Sequence, residues 1–329
     1  MQIFINTPGT YLHVKEEMFE MRFTKEGKEE KHQIAAHKVT SIVLPRSAAL
    51  STDAIHLALR FNVDIVIVEN DGRPMGRFWH SKLGSTTKIR KAQLEASLSQ
   101  EGLSWVKQWV MKKIENQSEF IKDLKKHRTN LAEYLNQQST KIIDQSESIL
   151  QLKGESIHDI ADSLRGLEGT AGRIYFETIS SVLPDNYRFS GRSSRPAKDP
   201  FNAFLNYAYG ILYSRVERVL ILAGIDPYLG FLHRDDYNQL SMVYDFIEPY
   251  RIHAETAVFR LFSAKKVNQT HTDEITNGYS LNTEGKKMLA ENFIDYLDNQ
   301  SIRYNHRNLT RMHGMQLDAH QFANSLIGK

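Results

Sequence analysis

A loop punctuated by Gly224, Pro227 and Gly230 ends in one histidine, His233, and an apolar run from Leu240 to Ile247 follows it, interrupted by Asp245 and closed by Glu248. Read as a helix, that run puts Asp245 and Glu248 three apart on one face, with Ser241 extending the polar stripe by a turn. The stripe is narrow and flanked by Leu240, Val243, Tyr244 and Ile247, so both carboxylates would sit at the edge of a core. Carboxylates placed there need a partner, and a metal ion is a common one.

Two other stretches could take part in such chemistry. Ile157 to Val182 reads as a helix with Leu164, Leu167, Ala171, Ile174 and Ile179 as its core stripe, and it carries Glu168 beside Gly166, Gly169 and Gly172. Glycine inside a helix costs about 1 kcal/mol against alanine, so this cluster needs a reason. Close helix packing is the favoured one; the other is the approach of a bulky ligand or a backbone to Glu168. The loop from Pro184 to Pro200 holds Tyr187, Arg188, Arg192, Ser193, Ser194, Arg195 and Lys198. Guanidinium groups beside hydroxyls suit phosphate oxygens, with an ordinary solvated loop as the competing reading.

These residues must be positioned by a chain of two characters. Gln2 to Asn6, Tyr11 to Lys15, Phe19 to Phe23, His32 to Ala36 and Thr40 to Leu44 are short β-branched or aromatic segments with turn residues between them. Ser51-Thr52-Asp53 offers a cap for a helix over Ala54 to Phe61, Val63 to Val68 is a buried strand, and Asp71-Gly72 turns it toward Arg77 to Trp79. The polar stretch from His80 to Thr87 marks a boundary. Beyond it come helices over Lys88 to Leu98 and from Ser104 to about Tyr134, the latter with a core stripe that includes Trp105 and Trp109 and a basic face at Lys122, Lys125, Lys126, His127 and Arg128.

Asp199 and Pro200 then start a helix to Ala223, with Phe204, Leu205, Leu212, Val216 and Val219 buried and Asn202, Asn206, Arg215 and Arg218 left polar. Ile252 to Phe262 is a further helix, Asn268 to Asn282 a loop, and Thr283 to Leu297 a helix capped by Thr283. The C-terminal residues from Tyr304 to Ile327 add basic and helical material without a motif. The fold class is therefore α+β: a small strand-rich N-terminal domain, residues 1–84, followed by a larger all-α C-terminal domain, residues 85–329.

Composition narrows the function. A chain of 329 residues, 41% hydrophobic and 25% charged, is that of a folded soluble protein. It has no cysteine, which removes disulfides, iron–sulfur clusters and thiolate zinc sites and leaves histidine and carboxylates to bind any metal. The N-terminus lacks a signal-peptide pattern and no apolar run approaches membrane-spanning length, so a cytoplasmic location is the default and no membrane partner is expected. The net charge of +3 is small, but the basic residues cluster.

Two motif matches fail. His233-Arg234-Asp235 with Asp245-Phe246 looks like a kinase catalytic loop and metal triplet, but residue 247 is Ile rather than Gly and no Gly-rich loop precedes. A His-Asp phosphohydrolase fits poorly as well, since Arg234 separates the His from the Asp.

Four segments in order resemble one family. Glu168 within Leu-Glu-Gly-Thr-Ala-Gly-Arg-Ile-Tyr-Phe, the segment Arg192 to Tyr209, the loop Gly230-Phe-Leu-His233, and Val-Tyr-Asp245-Phe-Ile-Glu248-Pro-Tyr-Arg251 look like the CRISPR-associated adaptation integrase, the larger subunit of the spacer-acquisition complex. Each is weak alone, and the four together are specific. The resemblance covers the whole chain, including the strand-rich domain before the helical one. It implies a DNA integrase that joins the 3′-hydroxyl ends of short DNA fragments into a repeat array by phosphodiester transesterification.

The resemblance further implies a catalytic set of Glu168, His233, Asp245 and Glu248, in which Glu168, His233 and Glu248 bind Mn²⁺ or Mg²⁺. Which of Asp245 and Glu248 contacts the metal stays open; His80 matches no catalytic position. One imidazole and two carboxylates suit a hard cation that keeps open positions for substrate oxygens. Arg192, Arg195, Lys198, Arg215, Arg218 and Arg251 would hold the phosphates of double-stranded DNA, fragment and repeat array alike. A homodimer is implied too, with a small ferredoxin-like partner subunit, the strand-rich domain serving dimerisation and docking. The alternatives are a stand-alone metal-dependent endonuclease acting on branched or single-stranded DNA, and a non-catalytic DNA-binding scaffold.

Overall fold

The computed structural model describes residues 2–5, 7–25, 27–69, 74–78, 86–233, 239–304 and 306–329. The chain divides into two compact units, Met1–Gly84 and Ser85–Lys329. The expected turn at Asp71-Gly72, the end of the strand at Trp79, and most of the boundary stretch from His80 lie outside the described residues.

In the N-terminal unit, alternating apolar residues build two sheets. One runs β1 (Gln2–Phe4), β5 (Ser41–Pro45), β7 (Asp64–Val68), β8 (Pro74–Phe78), parallel except for the last pair; the other runs β4 (Lys28–Ala35), β3 (Met18–Lys25), β2 (Tyr11–Lys15), β6 (Ala49–Leu50). Helix α1 (Thr52–Arg60) starts earlier than the expected Ala54, within the predicted capping stretch, with the Ser51 hydroxyl accepting from the Ala54 N–H at 3.2 Å. Leu12, Phe19, Ile42, Ala54 and Ile65 form the centre of this unit's core. Glu20 is buried within the second sheet and accepts from His13, Arg22 and Gln33.

The second unit is mostly helical. Helix α2 (Thr86–Ser97) precedes α3 (Gln100–Leu124), and here the sequence expectation is corrected: the helix read as far as Tyr134 stops at Leu124. Two 3₁₀ turns over Lys125–His127 and Thr129–Leu131 reverse the chain into α4 (Ala132–Gln151). Pairings of Ser118 with Ser139, and of the Lys107 ammonium with the Leu150 carbonyl, show the two helices antiparallel. The apolar stripe does not break at the reversal, because both helices bury it against the same core, so the sequence pattern runs on through the turn.

Helix α5 (Ile157–Val182) has the expected bounds and opens on a capping box of Ser156 and Asp159. Helix α6 (Pro200–Ala223) is capped by Asp199, which accepts from the Asn202 N–H at 2.7 Å. Then come α7 (Ser241–Phe246), a 3₁₀ turn over Glu248–Tyr250, α8 (Arg251–Ser263), α9 (Thr283–Asp298) and α10 (Arg311–Leu326).

The stretch from Asn268 to Asn282 is not all loop: β9 (Thr272–Ile275) pairs with β10 (Gly278–Leu281). The cap of α9 is Asn282 rather than Thr283. A second hairpin joins β11 (Ser301–Tyr304) to β12 (Arg307–Thr310), so the C-terminal unit is mostly rather than wholly helical. Among the described residues no helix is long and apolar enough to cross a membrane.

Candidate metal centre

Glu248 does not sit on the same α-helix as Asp245. Helix α7 ends at Phe246 and the chain tightens into the 3₁₀ turn, so the two acids part company. Asp245 is 2% exposed and points back at the loop: its Oδ2 accepts from the backbone N–H groups of Phe231 at 2.5 Å and Leu232 at 3.0 Å. Its Oδ1 meets the His233 N–H at 3.2 Å and the imidazole Nδ1 at 2.6 Å. A carboxylate can only accept here, so Nδ1 carries the proton and Nε2 of a neutral ring keeps its lone pair. With both oxygens engaged, Asp245 is the anchor of the histidine loop.

That loop is held from its other sides as well. A Cβ on Gly230 would lie 2.5 Å from the Ser241 side chain, so only glycine lets the loop lie this close to the start of α7. The Phe231 ring stacks on Trp109 of α3, and Arg165 of α5 donates to the Leu232 carbonyl at 2.9 Å. The tryptophan stripe is thus core, as read from the sequence, and it supports the loop that carries His233.

Glu248 turns the other way, into the helices. Its Oε1 takes a two-pronged ion pair from Arg251, through Nε at 2.8 Å and Nη2 at 2.8 Å. Its Oε2 lies 2.6 Å from the Lys113 ammonium, and the same ammonium donates to Glu168 Oε1 at 2.5 Å. Burial opposes a charge on Glu248, but Arg251 and Lys113 outweigh it and hold the carboxyl down to about 2. Burial likewise opposes a charge on Lys113, and Glu248 and Glu168 outweigh it, keeping the amine protonated well above its usual range. Lys113 escaped the sequence reading because it belongs to no motif; its position inside the apolar stripe of α3 is the one signal that marks it. Asn116, three residues on, fixes the 3₁₀ turn by donating to the Pro249 carbonyl at 2.8 Å.

Glu168 stands on the open side of α5, 23% exposed. A Cβ at Gly166, Gly169 or Gly172 would meet no atom within 4 Å, so close helix packing, the favoured explanation of these glycines, is overturned. They leave a bare helix face beside Glu168.

The arginine loop is built rather than loose. Asn202, fully buried, accepts from Arg192 Nη1 at 3.0 Å and from the Ser193 N–H at 3.1 Å, and donates to the Gly191 carbonyl at 2.9 Å. Arg192 also donates to Asn206 at 2.5 Å. The Tyr279 N–H of β10 donates to the Ala197 carbonyl at 2.9 Å, an approach that Gly278 permits because a Cβ there would lie 2.2 Å from that oxygen. Arg192, Arg195 and Lys198 are exposed.

The other cations differ. Arg215 is 4% exposed and pairs with Asp298 at 2.9 Å, which corrects its placement among surface phosphate ligands. Arg218 is half-buried. Arg251 is committed to Glu248 and lies over the Tyr209 ring at 5.0 Å, with Arg192 over the same ring at 5.4 Å. The Tyr209 hydroxyl donates to the buried Glu255 at 2.7 Å.

The donor set suits a hard divalent cation: two carboxylates, and an imidazole whose tautomer is fixed by a carboxylate behind it. The ion pair at Glu248 Oε2 lacks the angle of a hydrogen bond, leaving a buried carboxylate oxygen with no aligned donor. Among the described residues no three His, Asp or Glu side chains are gathered tightly enough to hold an ion as they stand. The residues fit such an ion by chemistry, while Lys113 takes up the charge of the two acids.

Comparison with known proteins gives these features a context. The endonuclease "CRISPR-associated endonuclease Cas1 1" of Archaeoglobus fulgidus is 30% identical over 320 residues, covering 94% of this chain and 91% of that protein. Among solved structures, a casposase bound to integration product superposes with a TM-score of 0.83 at 20% identity, over 99% of this chain and 90% of that one. A Cas6-RT-Cas1–Cas2 complex superposes at 0.77 and 21% identity, over 100% of this chain and 35% of the larger one. The model of the family described as CRISPR associated protein Cas1 matches residues 3–295, and the chain belongs to that family.

Proposed function

We propose that this protein is a divalent-metal-dependent DNA integrase of CRISPR adaptation, which joins the 3′-hydroxyl ends of short DNA fragments to a repeat array by transesterification. The observation that carries the reading is the convergence of Glu168 and Glu248 on one cation, Lys113, together with the fixing of the His233 Nδ1 by Asp245. Glu168, His233 and Glu248 would hold Mn²⁺ or Mg²⁺. Such an ion, when bound, polarises the scissile phosphate and offsets charge on the leaving oxygen.

The protein's own groups do the rest. Asp245 keeps the His233 proton on Nδ1, so that Nε2 is the free donor atom. Arg251 keeps Glu248 ionised, and the glycine face of α5 leaves room for a sugar–phosphate backbone at Glu168. Arg192, Arg195 and Lys198 bind phosphates along the approach with little sequence preference. A second copy of the chain and a small partner subunit complete the assembly; a structural neighbour that is a Cas1–Cas2 complex supports the latter. The casposase neighbour, bound to integration product, favours joining over simple hydrolysis.

The test is one incubation of protein, partner subunit, Mn²⁺, a short duplex with free 3′ ends and a repeat-bearing plasmid. Joined product that disappears in Glu168→Ala and in His233→Ala supports the proposal. Cleavage without joining would instead make the protein a nuclease, and equal activity in both variants would remove the metal centre.

A further inference from the structure

Lys113 projects from α3, an element that supplies no acid or histidine to the centre. Its ammonium touches Glu168 Oε1 at 2.5 Å and Glu248 Oε2 at 2.6 Å, and the side chain is 13% exposed. The two carboxylates come from distant parts of the chain, α5 and the 3₁₀ turn after α7, and this one nitrogen is what they share. Glu248 has a separate partner for its other oxygen, since Arg251 occupies Oε1 through two nitrogens. Lys113 therefore does not simply neutralise Glu248; it spans the gap between the acids.

A divalent ion held by Glu168 and Glu248 would draw on the same two carboxylates that Lys113 now pairs with. The ammonium is a compact charge on a four-carbon stem with freely rotating bonds, suited to leaving them without any backbone change. Resting on the metal-centre reading above, we propose that Lys113 is a resident counter-ion: it holds Glu168 and Glu248 facing one another before the metal arrives, and withdraws as the divalent cation takes their oxygens. Metal loading is then a cation exchange, in which a double charge displaces a single one.

The sign of one effect separates this role from its obvious rival. A lysine that merely oriented the ligands of a loaded site would raise metal affinity, and its removal would weaken binding about 10–100-fold. A counter-ion seated on the ligand oxygens opposes the metal, and its removal tightens binding.

The experiment titrates Mn²⁺ into the full chain, following free Mn²⁺ by electron paramagnetic resonance, for wild type, Lys113→Met, Lys113→Gln, Lys113→Arg and Glu168→Ala. Lys113→Gln keeps an amide donor for the acids and serves if the methionine variant does not fold. Both neutral variants are expected to bind Mn²⁺ about tenfold tighter or more, while Lys113→Arg, which keeps the charge, shows no gain. Without metal the neutral variants melt below wild type, and Mn²⁺ restores more of their stability than it adds to wild type. Affinity in Lys113→Gln that equals or falls below wild type, with wild-type binding still abolished by Glu168→Ala, would overturn the counter-ion role and leave the metal centre standing. Mn²⁺ binding that Glu168→Ala does not change, in either background, would remove the metal centre itself and this role with it.

Discussion

Asp245 and His233 are joined twice: Oδ1 of Asp245 meets both the imidazole Nδ1, at 2.6 Å, and the backbone N–H of His233, at 3.2 Å. One carboxylate thus fixes the backbone of the histidine loop and the tautomer of its ring. Asp245→Asn keeps the shape and loses the double acceptor. It is expected to weaken Mn²⁺ binding about 10–100-fold and to slow joining, with far-ultraviolet circular dichroism unchanged. An Mn²⁺ titration checks it.

Arg251 sits between catalysis and stability. Its guanidinium is the two-pronged partner of Glu248 and lies over the Tyr209 and Tyr213 rings. Arg251→Ala leaves a buried carboxylate short of its main cation and is expected to cost about 3–5 kcal/mol in denaturant unfolding. Arg251→Lys recovers only part of that, because an ammonium cannot reproduce the fork or the stacking.

The basic residues divide into two groups that salt dependence separates. Fluorescence anisotropy with duplex DNA should show Arg195→Ala and Lys198→Ala each lowering the slope of log affinity against log salt by about one. Arg215→Ala should leave the slope unchanged and lower the melting temperature, since its guanidinium is paired with Asp298 inside the protein.

Much of this was legible in the sequence, because local chemistry wrote it there. The cap at Ser51, the Asp199-Pro200 helix start and the bounds of α5 follow from residues within a turn of one another. What the sequence withheld depends on long-range packing. The reversal between α3 and α4 is hidden because Leu124 and Leu135, on either side of it, face one core. The hairpin of β9 and β10 reads as polar loop since Leu281 alone among its strand residues is buried. Lys113 lies 55 residues from Glu168 and is one lysine among many, so no spacing rule reaches it. Arg215 and Asn202 are simply polar residues in the sequence of α6, and only the distant Asp298 and the arginine loop account for their burial.

In the N-terminal unit Glu20 is held down to about 2, first by the Gln33 amide and then by Arg22, with His13 adding to them against the opposing effect of burial. A folded-state value below the unfolded 4.5 means that stability is fully present above that pH and is lost as pH falls from there through about 2. Thermal unfolding of wild type should therefore drop across that window, and Glu20→Gln should flatten the drop while lowering stability at pH 7.

The glycine face of α5 makes opposite demands on fold and function. A Cβ at Gly169 meets open space, so Gly169→Ala should raise stability by about 0.5–1 kcal/mol. If DNA lies on that face, the same change, or a larger one such as Gly169→Leu, slows joining. Paired unfolding and joining assays read both effects.

The most direct test of the metal centre is anomalous diffraction from crystals of the full chain grown with Mn²⁺. One strong peak is expected in contact with Glu168, His233 Nε2 and Glu248, with Asp245 still bonded to His233 Nδ1 and Lys113 turned away. A peak held by Asp245, or none at this site while Lys113 still bridges the two glutamates, would contradict that arrangement.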